Sequence, residues 1–206
     1  WQDWYRSARA ALIELRKECD TVIVGGLCMG AILGLHLAAR QPDKVQGVAL
    51  FSPTLWINGW AMPWYMKLFN LVHSRRFAKL MTFPDAESLG IKCPRVRQFV
   101  KAALDGTQDY GNAGVPATMV LEHRRMVNAA KSLLHLVRQR TLIVHSLDAD
   151  YAPLHNATFL PGTLTGAVDN VVLDDSSHRG LLDRERPLSV GRTRASLHNL
   201  ARHPPP

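Results

Sequence analysis

The stretch Thr21-Val22-Ile23-Val24-Gly25-Gly26-Leu27-Cys28-Met29-Gly30 constrains the fold more than any other part of the chain. Its first four residues are a β-branched run of the kind buried in parallel sheets. A helical pattern with an apolar side follows over Ala31–Arg40, and Pro42-Asp43-Lys44 punctuates it. Between strand and helix lies small-x-Cys-x-small, the sequence of a sharp turn with Cys28 at its apex. Glycine is expected at 26 and 30 because side chains there would strike the neighbouring strand and helix. The turn lifts Cys28 out of the sheet at the N-terminal end of the helix, where the dipole favours a thiolate. The backbone N–H of Met29 is then placed to donate to an oxyanion.

The remaining pattern is that of an α/β chain. Tyr5, Ala8, Leu12, Leu15 and Cys19 recur at helical spacing ahead of the first strand. Val45–Phe51 reads as a second strand, stopped by Ser52-Pro53. From Thr54 onward, strand-like runs give way to helical patterns until a third strand at Thr141–His145. A short helix over Leu154–Leu160, a strand at Val168–Leu173, a loop over Asp174–His178 and a last helix at Pro187–Leu200 complete it. Strands alternating with helices predict a mostly parallel sheet flanked by helices. The segment between the second and third strands is longer than an ordinary connection. Residues 1–53 and 139–206 are therefore expected to form the core, and 54–138 a helical cap or lid.

Composition excludes several classes. The chain has 206 residues, with 25 Lys and Arg against 17 Asp and Glu, a formal net charge of +8. No run of five like charges and no zinc-finger spacing is present, so nucleic-acid binding is not expected. A solvated basic surface is the plain reading of the charge, and weak association with anionic lipid headgroups the sharper one. No apolar stretch is long and uninterrupted enough for a membrane span. Three cysteines, Cys19, Cys28 and Cys93, are an odd and widely spaced set. They fit a reducing, cytoplasmic compartment better than a disulfide scaffold.

Gly25-Gly26-Leu27-Cys28-Met29-Gly30-Ala31 resembles the nucleophile elbow of the α/β-hydrolases, above all the carboxylesterase and monoacylglycerol-lipase-like group. Those enzymes usually carry serine where this chain has Cys28. Cysteine also occurs there in dienelactone hydrolases and polyhydroxyalkanoate synthases. The resemblance implies an α/β-hydrolase fold, a small acyl ester as substrate, no cofactor and no metal. It implies chain order nucleophile, acid, histidine, which makes His178, in the loop after the last strand, the general base. The other eight histidines read as surface or satisfied core residues.

The acid has two candidates. Aligning His145-Ser146 and Pro153 with the family's His-Gly-x-x-Asp-x-x-x-Pro pattern puts Ala149 where the aspartate belongs, with Asp148 and Asp150 on either side. A densely aromatic stretch after the second strand includes Trp56, Trp60, Trp64, Met66 and Phe69. It reads either as helix-packing core or as an acyl-binding wall, with Lys67, Arg75, Arg76 and Lys79 facing water or headgroups.

Relatives carry further strands before the elbow helix, with a His-Gly loop supplying a second oxyanion donor. Nothing in Trp1–Asp20 matches that loop, so N-terminal strands are expected to be absent here. The first strand would then have an open edge prone to self-association. Three functions fit: a (thio)esterase with an acyl-enzyme on Cys28, an acyltransferase using the same Cys28–His178 pair, and a catalytically inactive binding scaffold.

Overall fold

The computed structural model describes residues 1–69, 71–83, 87–106 and 114–202. The side chain of Lys67 and all of His203 lie outside the described residues. A 17-residue helix α1 (Gln2–Glu18) leads into β1 (Ile23–Leu27), α2 (Met29–Arg40) and β2 (Gly47–Phe51). Short helices α3 (Met66–Phe69) and α4 (Arg75–Ala78), β3 (Thr82–Phe83), α5 (Pro94–Gly106), β4 (Val115–Pro116) and α6 (Ala117–Lys131) follow. The chain returns to the sheet as β5 (Arg140–Ser146), then runs through α7 (His155–Phe159), β6 (Val168–Leu173) and α8 (Arg186–Arg202).

The main sheet has the order β1-β2-β5-β6 and every pairing is parallel. Its register aligns Leu27 with Phe51, Phe51 with Val144 and Val144 with Val171, so all four strands end at one edge. The central strands are nearly continuous in buried residues, while β1 and β6 at the rims are only partly covered. That difference follows from position, because a central strand of a parallel sheet is covered on both faces. Alternate residues divide between those faces. Val48, Leu50 and Ile143 join the larger core with α1 and α2, whereas Leu142, Val144 and Leu173 join a second cluster with Phe51.

The first strand begins and ends later than the β-branched run suggests. It takes in Gly25 and Gly26, which the sequence reads as turn, because both remain paired with Ala49 and Leu50. The described part of the segment between β2 and β5 holds the helices α3 to α6 and one feature the sequence does not announce. Thr82–Phe83 and Val115–Pro116 pair as a two-residue antiparallel ribbon too short to leave a strand signature. This segment has a small core of its own, made of Phe69, Ala78, Phe83, Ala117 and Leu121. Helix α6 spans both cores, since its later residues Met126, Val127 and Ala130 pack into the larger one. No helix among the described residues is long and apolar enough to cross a membrane.

Candidate active site

Cys28 lies where β1 turns into α2, with φ 56° and ψ −115°. A non-glycine residue at positive φ is held there only when its surroundings over-determine it, at a cost of about 1–3 kcal/mol. The determinants are visible. The Cys28 N–H donates to the Phe51 carbonyl at 2.9 Å, tying the apex to the neighbouring strand end. A Cβ on Gly26 would lie 2.2 Å from the backbone of Gly30, so only glycine permits the helix to start this close to the strand. Gly30 corrects the expectation drawn from sequence, because a Cβ there meets nothing within 4 Å among the described residues.

This contrast yields a stability prediction. Gly26→Ala should lower stability by about 3 kcal/mol, since backbone rather than a movable side chain blocks the new methyl. Gly30→Ala should be neutral or stabilising by up to about 1 kcal/mol, as in an ordinary helix. Urea unfolding midpoints decide the matter, and equal losses would contradict the packing described.

The other strand ends supply the remaining groups. Ser52, also at positive φ (44°), follows β2, and its hydroxyl donates to the backbone carbonyl of His178 at 2.6 Å. Thr54 is buried and places its hydroxyl 3.4 Å from Cys28 Sγ and 3.1 Å from the Ser52 carbonyl. The loop after β5 separates the two candidate acids. Asp148 is 62% exposed and pairs with Lys92 Nζ at 2.8 Å. Asp150 is completely buried, accepting from Ser177 Oγ at 2.9 Å and from Ser88 Oγ. Of the two aspartates, Asp150 is the one whose charge acts on His178, favouring its protonated form.

His178 is buried in the loop after β6, 5.4 Å centroid to centroid from the Tyr151 ring. Neither ring nitrogen has a hydrogen-bond partner among the described residues. Burial is the main cause that lowers its pKa to about 4, and Asp150 opposes that effect without outweighing it. Cys28 shifts the other way. Burial raises its thiol pKa, and the Thr54 hydroxyl, the Met29 N–H and the charge of Arg179 offset only part of that. The thiolate expected from the helix dipole alone is therefore not the resting form. Near neutral pH each group therefore rests uncharged, Cys28 as thiol and His178 as imidazole.

A residue that sequence reasoning passed over organises the histidine loop. The Asp183 carboxylate accepts from the backbone N–H groups of Lys92, Cys93, Ser177 and Arg184 at 2.7–3.0 Å. These bonds lower its pKa despite its partial burial. Ser146 Oγ holds the Ser177 carbonyl at 2.6 Å, so residue 177 is fixed by its N–H, carbonyl and side chain together. An acidic residue just before the last helix is the available sequence signal, since carboxylates are favoured at such starts.

The aromatic stretch does not form one wall. Phe69 is buried in the small core and Met66 packs beside it. Trp56 packs on the larger core against His155 and Phe159, with Lys131 Nζ 3.9 Å from its ring centre. Trp60 and Trp64 are exposed. Among the described residues, no group of three or more His, Cys, Asp or Glu side chains could hold a metal ion.

A parallel main sheet with a strained strand-to-helix turn at Cys28 and a buried histidine and aspartate at its carboxyl edge has the architecture of an α/β-hydrolase of the lipase-like type. Residues 1–158 match the Hydrolase_4 family, described as serine aminopeptidase, S33, and the chain belongs to that family. It is 24% identical over 204 residues to the thermostable monoacylglycerol lipase of Bacillus sp. (strain H-257), covering 98% of this chain and 72% of that protein. A soluble variant of monoglyceride lipase from Saccharomyces cerevisiae superposes with a TM-score of 0.75 and 12% identity, over 100% of this chain and 69% of that one. The monoacylglycerol lipase of Paleococcus ferrophilus gives a TM-score of 0.74 and 12% identity, over 94% of this chain and 73% of that one.

Proposed function

We propose that this chain hydrolyses carboxylic esters or thioesters with a hydrophobic acyl group, through a covalent acyl-enzyme on Cys28. The observation that carries the reading is the strained Cys28 apex at the start of α2, on the sheet edge that also delivers His178 and Asp150. In the first half-reaction His178 removes the thiol proton as the sulfur attacks the ester carbonyl carbon. The Met29 N–H receives the developing oxyanion. The tetrahedral intermediate collapses, the carbon–oxygen or carbon–sulfur bond breaks, and His178 returns the proton to the leaving alcohol or thiol. Water then attacks the acyl carbon as His178 takes its proton; the carbon–sulfur bond breaks, the carboxylic acid leaves, and His178 returns the proton to the Cys28 sulfur. Asp150 stabilises the imidazolium formed in each half. A neutral resting pair suits this scheme, because charge separation arises only during attack.

In this reading 54–138 is the cap. Of the stretch named from sequence, Trp60 and Trp64 are exposed and free to face an acyl group, whereas Met66 and Phe69 pack in the small core and Trp56 on the larger one. Exposed Phe77 and Leu80 beside Arg75, Arg76 and Lys79 support a weak membrane-surface association. The free edge of β1 in the described sheet supports self-association. Three unpaired cysteines fit a cytoplasmic setting.

The test is intact-mass analysis after mixing with a medium-chain p-nitrophenyl ester, followed by peptide mapping. An acyl adduct on the Cys28 peptide is the expected result, and Cys28→Ala should abolish both adduct and turnover. Undiminished turnover in that variant would overturn the mechanism. One observation favours the binding-scaffold reading, namely that both His178 nitrogens lack hydrogen-bond partners among the described residues. A folded sample that forms no adduct would select it. A new ester that accumulates with added alcohol would select acyl transfer instead.

A further inference from the structure

Thr54 is buried, belongs to no regular element, and bridges the nucleophile and the neighbouring strand end. Its Oγ1 is 3.4 Å from Cys28 Sγ and 3.1 Å from the Ser52 carbonyl oxygen. A hydroxyl has one proton and two lone pairs, so it serves only one of these acceptors at a time. We propose that Thr54 is a positioning residue for Cys28, a hydroxyl that turns its proton from the Ser52 carbonyl to the sulfur as Cys28 ionises. The inference rests on Cys28 acting as the nucleophile.

While the sulfur is protonated, the Thr54 hydroxyl donates to the Ser52 carbonyl. When His178 takes the proton, the S–H bond breaks, its electron pair stays on sulfur, and an N–H bond forms on the imidazole. The Thr54 O–H then rotates onto the thiolate without leaving its oxygen. A bond to an ionised acceptor is stronger than one to a neutral carbonyl, which gives the rotation its direction. The Ser52 backbone stays in place through this change, since its N–H is bonded to the Val144 carbonyl at 2.8 Å. The residue is also held from the other side. The buried His123 of α6 bonds the Thr54 backbone, linking the segment between β2 and β5 to the atom beside the sulfur. Sulfur otherwise sits in a buried environment that resists ionisation, and there a single well-placed donor has its greatest effect.

The readout is the pH dependence of Cys28 modification by methyl methanethiolsulfonate, followed by peptide mapping. Cys19 and Cys93 are internal controls in the same sample. Thr54→Val fills the space of threonine without its hydroxyl, Thr54→Ala empties it, and Thr54→Ser keeps the hydroxyl. Both hydroxyl-free variants should slow Cys28 modification about tenfold below its midpoint and move that midpoint to higher pH. Thr54→Ser should keep the parent profile, with Cys19 and Cys93 unchanged in all three. Profiles for Thr54→Val that superpose on the parent would overturn the proposal. So would a slow Thr54→Ala beside a normal Thr54→Val, which would mark packing as the cause. No ester turnover enters this measurement. A shifted profile in a protein that forms no acyl adduct would remove the esterase reading and leave the Thr54–Cys28 switch standing.

Discussion

Asp150→Asn should lower ester turnover by about 10²-fold or more, while Asp148→Asn should change it by less than about twofold. The charges around His178 set this difference. His145 and Arg179 both disfavour a proton on the ring, as does burial, and Asp150 alone favours one. Without that carboxylate the imidazolium formed during attack has no opposing negative charge, and the barrier to taking the Cys28 proton rises. The fold should survive the change. Both partners of Asp150, Ser88 and Ser177, are hydroxyls that can rotate to accept from an amide as readily as they donate to a carboxylate. Asp148 sits on the surface in an ion pair with Lys92, of a kind worth about 1 kcal/mol or less. Steady-state turnover of both variants, with circular dichroism as a folding control, checks the pair. Comparable losses in the two would return the acid to an undecided state, and full activity in Asp150→Asn would remove it from the mechanism.

The same residues mark how far the sequence alone could be read. Order and type of the major strands and helices were legible, because β-branched runs and helical spacing are local signals. So was the elbow, whose glycine at 26 is dictated by the backbone of residue 30. The choice between Asp148 and Asp150 was not. Neighbouring loop residues are alike in composition, and only the packing of residues 88 and 177 makes one buried and the other exposed. The ionisation of Cys28 was misjudged for a related reason. A helix N-terminus is visible in sequence and favours thiolate, whereas the burial that opposes it is a tertiary property. Asp183 stayed hidden because its four N–H donors come from three separate stretches of chain. The aromatic stretch reads in sequence either as core or as an acyl wall, and composition does not separate the two; in the fold Phe69 faces the small core while Trp60 and Trp64 face outward.

Acidification from pH 6.5 to 4 should unfold the protein cooperatively. His36, His123 and His178 are all buried, and each has its pKa lowered to about 4, chiefly by burial. Burial lowers His145 in the same direction. The unfolded chain binds protons at these sites near the ordinary histidine value, so between about 6.5 and 4 it holds more protons than the folded chain. Stability is therefore complete above that window and declines as pH falls through it, by up to about 3 kcal/mol for each of the three histidines. Two such losses already approach the 5–15 kcal/mol that holds a typical domain together, roughly speaking. Asp183 adds to the loss at the acid end, since its lowered pKa contributes stability that disappears as the carboxylate is protonated. His36 reports on the process most directly. Its ring meets those of Trp1 and Tyr5 edge-on at 5.1 Å, its Nδ1 has no hydrogen-bond partner among the described residues, and Arg40 further disfavours a proton there. Protonation would place an unpaired charge in the seam between α1 and α2. Far-ultraviolet circular dichroism across the pH range, at constant ionic strength, should show a single loss of helical signal with its midpoint inside the window. His36→Phe keeps an aromatic ring against Trp1 and Tyr5 and removes the titrating group, so its midpoint should move to lower pH. A helical signal unchanged down to pH 4 would show that these histidines are hydrated or paired in solution.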